Sequence, residues 1–320
     1  MFAFINYLKL IATVLITNSH FNDVWPIGAM ASGGLLGNII FFAVSGFLLY
    51  NIRFGFPKWL SKRFFRVYPA MVVFTLFAVA IGQYSLNNFQ DAFCLFVYPT
   101  NYIFLVWLIV CYCIFYIIAY FDKKIDIFLQ IAMMVIFVIW ILVYAVFYDK
   151  SEYRVDNVSE PFILYLYVES MLLGAFFKKN YARFSKFKVS KVIMALFCIV
   201  AYFGSKIVFS RVSSLLNFQI VNQFIIFITL FFVFSLFISL EDFFKRIPAK
   251  INCCVRYTSN ITLQIYIVQF VIIERFEKLV FPLNLVTVVL LILIVASLLY
   301  YLEVLIRKVI TSISDKVKKG

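Results

Sequence analysis

Apolar stretches of 16 to 22 residues recur from one end of this chain to the other. About twenty consecutive apolar residues make a helix long enough to cross the ~30 Å hydrocarbon core of a bilayer. A helix also satisfies its own backbone there, which an irregular segment cannot. Ten such stretches lie at about 4–22, 34–52, 68–84, 100–120, 127–147, 162–177, 191–209, 219–240, 259–274 and 284–304. Nothing between them is long enough for a soluble domain. Hydrophobic residues are 65% of the chain and charged residues 14%, where a soluble domain has nearer half and a quarter. The sequence therefore predicts an all-α fold: a polytopic transmembrane helical bundle of about ten spans, one domain over 1–320, ending in a short basic tail at 305–320. With no basic region at its start and no small-residue cleavage site, the first stretch is expected to be a span and not a cleaved signal.

The net charge of +14 invites a nucleic-acid reading, but the cations sit in short loops between the spans. With the N-terminus inside, 22 of the 29 Lys and Arg fall in inner loops or the tail, six fall outside, and Lys9 lies within the first stretch. This positive-inside asymmetry places both termini in the cytoplasm and the chain in the cytoplasmic (inner) membrane as a multi-pass protein. Membrane lipids are then its expected partners, and nucleic acid is not. A single histidine and the lack of any Cys-x-x-Cys pair make a metal site unexpected.

His20 is that one histidine. Lys9 stands eleven positions earlier, about three helical turns and roughly 16 Å along the axis, so the two share a face. Asn6, Thr13 and Thr17 fall on it too, at the three- and four-residue steps that stack side chains. Lys9 alone reads equally well as a snorkelling interface anchor. A histidine at membrane depth is a functional candidate by default. The second stretch opens with Gly33 and Gly37, a small-xxx-small pair that admits a close neighbour, and carries Asn38, Ser45 and Gly46. Packing the polar face of the first span against it would keep both out of lipid.

Pro57 to Pro69 then repeats cations at Lys58, Lys62 and Arg66, with Arg63 between and Trp59, Phe64 and Phe65 interleaved. Two readings stand: an interfacial amphipathic helix on anionic headgroups, and a phosphate-binding patch in which Arg63 and Arg66 offer forked donors. Further on, Glu169, Gln264, Tyr266 and Gln269 are polar at apolar depth. Interhelical hydrogen bonding accounts for Gln264, Tyr266 and Gln269 without any function, while Glu169, beside the small residues Gly174 and Ala175, is a site candidate, with Tyr266 and Gln269 as weaker ones. Glu303 and Arg307 have the spacing of a structural i,i+4 pair.

These residues resemble the membrane acyltransferase-3 family, bacterial integral-membrane enzymes that O-acylate surface carbohydrates and similar acceptors. Lys9 and His20 are similar to its arginine–ten residues–histidine signature, with lysine in place of the arginine. Phe41-Phe42-Ala43-Val44-Ser45-Gly46-Phe47 is similar to its Phe-Phe-x-x-Ser-Gly-Phe stretch, and Lys62-Arg63-Phe64-Phe65-Arg66-Val67-Tyr68-Pro69 to its basic segment ending in Tyr-Pro. Glu169–Gly174, Trp107-Leu108 and Ile265–Val268 are weaker echoes. Gln269 stands where many members have a second histidine, so it cannot transfer a proton as histidine does.

The resemblance implies one acyltransferase domain that takes an acyl group, acetyl above all, from acetyl-CoA to a hydroxyl of a cell-surface polysaccharide or lipid-linked glycan. No bound cofactor is implied; acyl-CoA is a substrate. His20 would be the general base, Lys62, Arg63 and Arg66 would hold the CoA phosphates, and Lys9 would steady negative charge. Asn38, Ser45 and Gly46 would line the way for the thioester arm. The rival expectation is a transporter or flippase of glycan intermediates that uses the same polar stripe without acyl chemistry. The sequence leans against it, for it has no inverted repeat of interrupted helices.

Overall fold

The structure, a computed structural model, describes residues 2–317, with side chains through Lys308. It is 79% helical and has no strand among the described residues. Eleven helices of twelve residues or more are α1 (Ala3–Asn18), α2 (Gly34–Leu49), α3 (Phe56–Ala80), α4 (Ile103–Asp122), α5 (Phe128–Phe147), α6 (Ile163–Lys179), α7 (Val189–Arg211), α8 (Ile220–Ser239), α9 (Ala249–Asn260), α10 (Thr262–Phe276) and α11 (Leu283–Val317). Each of the ten apolar stretches falls on one of them, and α9 is an addition. Seven helical segments, those of α2, α3, α4, α5, α7, α8 and α11, are long and apolar enough to cross a membrane. The other three, α1, α6 and α10, are shorter, at 16, 17 and 15 residues.

Apolar side chains that stay exposed mark what the outer surface meets. On α5, Met134, Val138, Leu142 and Val146 are exposed at four-residue steps, and on α11 Val286, Leu290, Ile294, Leu298 and Leu302 repeat the pattern. Such continuous apolar stripes suit lipid and not water. This is a multi-pass membrane protein.

Two boundaries differ from expectation. The basic segment and the third span are one continuous helix, α3, with Pro69 inside it. Proline removes one backbone donor, a loss that membrane helices tolerate because neighbours re-satisfy the freed carbonyl. The first helix ends at Asn18, so His20 lies in a turn just beyond α1 and not on its stripe. Asn18 is the stop: its Nδ2 donates to the Met30 carbonyl (2.8 Å) and its Oδ1 accepts from Trp25 Nε1 (2.9 Å), which fastens the following loop instead of another turn.

The chain divides into two compact units, the first of Met1–Ile16, Ser32–Trp59 and Val110–Ser259, the second of Thr17–Ala31, Leu60–Ile109 and Asn260–Gly320. In the first, α2 and α6 meet backbone to backbone. A Cβ on Gly46 would sit 1.8 Å from the Met171 carbonyl oxygen, and one on Gly174 would sit 1.9 Å from that of Ala43. Gly37 receives Ala12 and Ile16 of α1, and Gly33, at φ +102°, receives Leu15. The second stretch is thus a close-packing surface as expected, but α1 turns apolar residues to it. Glycines offer no side chain to bond, and Asn6, Tyr7 and Lys9 of α1 find partners on α9 instead.

At one end of this unit, Asp122 is a buried hub. It accepts from Tyr50 Oη (2.6 Å), Lys179 Nζ (3.0 Å) and the Leu129 amide (2.9 Å), joining the ends of α2, α4 and α6 to the start of α5. Glu241 does similar work for α1, taking the amides of Ala3 (3.0 Å) and Phe4 (2.9 Å), which have no partner within the helix. In the second unit, Asn284 Nδ2 donates to the Val24 carbonyl (2.8 Å) and Gln83 Nε2 to Glu274 (2.8 Å), tying the 19–33 loop and the end of α3 to the α10–α11 corner.

Candidate active site

Within the second unit the chain's one histidine is placed against α10. The His20 amide donates to the Thr17 carbonyl (3.1 Å), a tight turn that keeps the ring close to the end of α1. The imidazole is half-buried and meets the Phe270 ring edge-on, with centroids 4.6 Å apart. Its nitrogens make no hydrogen bond to another described residue. One turn earlier, Thr17 Oγ1 donates to Gln269 Oε1 (2.8 Å), so the residue before Phe270 holds the residue three before His20. Gln269 is fully buried, and its Nε2 meets no acceptor among the described residues.

Aromatic rings continue from this point. Phe270 packs on Tyr266 (5.6 Å) and Tyr102 (6.5 Å), Tyr266 on Phe104 (5.1 Å), and the hydroxyls of Tyr102 and Tyr84 lie 3.4 Å apart. Tyr266, Gln269, Thr17 and His20 therefore come together as neighbours along one edge of α10. Phe270 and Tyr102 belong to the same group and were not singled out from the sequence. An aromatic residue in a chain with 20% aromatic content carries no signal of its own.

The basic patch is on α3 of the same unit. Lys62 and Arg66 are exposed and Arg63 half-buried. Arg307 of α11 adds a fourth cation: its Nη2 donates to the Arg66 carbonyl (3.0 Å) and pairs with Glu303 of its own helix. Gln264 Nε2 of α10 donates to the other Glu303 oxygen (2.6 Å), so three helices share one polar relay. The Glu303–Arg307 pair was legible from spacing, while the links to Gln264 and Arg66 were not.

The remaining candidates belong to the first unit. Lys9 Nζ donates to the Ser259 carbonyl at the end of α9, Ser259 Oγ to Asn6 Oδ1 (3.1 Å), and Thr13 Oγ1 to the Lys9 carbonyl (2.8 Å). The Asn38 amide donates to Tyr167 Oη (3.2 Å), Ser45 is half-buried, and Gly46 is the closest point of the α2–α6 crossing. Glu169 is 1% exposed on α6, with Oε1 bonded to no described residue.

The family model described as an acyltransferase domain, Acyl_transf_3, matches residues 2–303, nearly the whole described chain. The chain belongs to the acyltransferase-3 family. Membership makes it a membrane acyltransferase with an acyl donor and an acyl acceptor as substrates and lipid around it. No curated protein and no solved structure gives a match.

Proposed function

We propose that this acyltransferase is an O-acetyltransferase of the cytoplasmic membrane, using acetyl-CoA from the cytoplasmic side to acetylate a hydroxyl of a cell-surface polysaccharide or lipid-linked glycan. The observation that carries the reading is His20: the only histidine, anchored through Phe270 and the Thr17 carbonyl, with ring nitrogens that no described residue engages. A neutral imidazole titrates near physiological pH and suits removal of a hydroxyl proton as the oxygen attacks a thioester carbonyl. The carbon–sulfur bond then breaks, and the imidazolium returns the proton to the departing thiolate.

Lys62, Arg63 and Arg66 supply the charge and the forked donors that CoA phosphates need. Lys9 adds a cation on α1 that steadies negative charge. An acceptor hydroxyl reaches His20 from the side of the 19–33 loop, whereas Gly46, closed off by the Met171 carbonyl, and Asn38, bonded to Tyr167, serve helix packing and do not line the way for the thioester arm. In membrane vesicles given labelled acetyl-CoA, wild-type protein should pass label to glycan, and His20→Ala should lose transfer by at least about a hundredfold. Undiminished transfer by that variant would end the general-base role.

A further inference from the structure

We propose that Gln269 is a second catalytic residue, whose Nε2 donates to the carbonyl oxygen of the acyl thioester and to the oxyanion it becomes, and that Thr17 is the residue that positions it. This deepens the acyl-transfer reading and rests on it. Gln269 is fully buried in α10 with one end of its carboxamide engaged and the other open. The Thr17 hydroxyl donates to Oε1 (2.8 Å), which fixes the plane of the amide and turns both N–H groups of Nε2 away from Thr17. Buried donors are almost always paired, so an open one at this depth asks for a partner that the protein itself does not supply.

Two anchors tie this donor to the base. Thr17, which holds the amide, also accepts the backbone N–H of His20 (3.1 Å). Gln269, which is held, precedes the Phe270 ring that meets the imidazole. An open donor linked to an open base through Thr17 and Phe270 complements the two atoms of an acyl transfer that need them. The base takes the hydroxyl proton while the hydroxyl oxygen bonds to the carbonyl carbon. The carbonyl π electrons move onto oxygen, where Nε2–H meets the growing charge. They return as the carbon–sulfur bond breaks, and the thiolate leaves with the proton from His20. A donor aimed at that oxygen acts more strongly in the transition state than in the bound substrate, so it should govern kcat more than KM.

The test uses full-length protein in vesicles with labelled acetyl-CoA and a glycan acceptor, following kcat and donor KM. Gln269→Met keeps the side-chain length and removes the donor; it should lower kcat roughly 100- to 1000-fold with KM within about threefold. Gln269→His restores an N–H and should recover at least about tenfold over the Met variant. Thr17→Val leaves the amide in place but unheld, and its kcat should fall between wild type and Gln269→Met. A Gln269→Met enzyme with kcat within threefold of wild type, or a loss confined to KM, overturns the assignment and leaves a water-satisfied structural amide. If Gln269→Met does not fold, judged by monodispersity in detergent, Thr17→Val decides by the same split. Wild-type vesicles that move no acyl group overturn the acyl-transfer reading itself, whereas intact transfer by both variants overturns only the role of Gln269.

Discussion

Two buried carboxyl groups, Asp122 and Glu169, lie within the same unit and should respond to mutation in opposite ways. Asp122 accepts from a phenol, an ammonium and a backbone amide. Removing it strands the Tyr50 hydroxyl and the Leu129 amide and takes one of two carboxylates from Lys179, which keeps Asp126 (3.0 Å); each buried donor left unsatisfied costs about 1–3 kcal/mol. Asp122→Ala should therefore markedly lower the midpoint of thermal unfolding in detergent. Glu169 is as deeply buried but leaves Oε1 unbonded, so its retention costs stability. Glu169→Gln should unfold no earlier than wild type in the same melt, and a large drop would point to a partner that the carboxylate holds. What the sequence revealed follows the same division. His20, Glu169 and Gln269 stand out because polar groups at apolar depth are rare and costly, so each is visible one at a time. Their partners are not, since Thr17 and Gln269 meet across 252 positions and nothing local marks the pair. Asp122 was missed for the reverse reason: a charge at the end of an apolar stretch looks like ordinary interface.

Packing between α2 and α6 sets a sharper test at the level of helices. Both glycines of the crossing face a backbone carbonyl at under 2 Å from where a Cβ would be, and backbone cannot swing aside as a side chain tip can. Gly46→Ala and Gly174→Ala should each cost upwards of about 1–3 kcal/mol, the usual range for overpacking, because the helices must separate. Gly204 on α7 meets nothing within 4 Å, so Gly204→Ala should be neutral or stabilising by about 0.5–1 kcal/mol through helix propensity. Thermal midpoints of the three variants, measured side by side, separate close approach from propensity. The sequence indicated Gly33 and Gly37 by their four-residue spacing, and they do receive α1. It did not indicate the Gly46–Gly174 crossing, since each glycine completes a small-residue surface only with a partner on another helix. Helix limits were the other weak point. Hydropathy sees the apolar part of α3 but not the amphipathic turns that continue it toward Phe56, and it cannot see Asn18 stopping α1 through side-chain bonds to its loop.

For the whole molecule, the all-α membrane fold was legible because hydropathy is additive along a chain and each stretch declares itself. The division into two units was not, since each is assembled from three separated segments and no shift in composition marks their borders. The distribution of cations lies between these cases: it is readable as a count, and its consequence is sidedness. With 22 of 29 Lys and Arg assigned to inner loops and tail, the positive-inside rule puts α9 and the basic half of α3 in the cytoplasm and the 148–160 loop outside as an expectation to be tested. The proposed donor depends on this, because acetyl-CoA is a cytoplasmic thioester whose highly charged phosphates do not cross a bilayer unaided. The two exposed cysteines of α9 make the sidedness measurable without a tag. Cys253 and Cys254 are exposed, whereas the other four are buried or half-buried. A membrane-impermeant maleimide should therefore label the native protein in inverted vesicles and spare it in right-side-out ones. Ser151→Cys, placed at an exposed loop position in a Cys253→Ser, Cys254→Ser background, should reverse the pattern. Labelling of Cys253 and Cys254 from the outside would invert the topology. Lys62, Arg63 and Arg66 would then face away from the CoA pool, and the donor would have to be an acyl carrier available outside the cell.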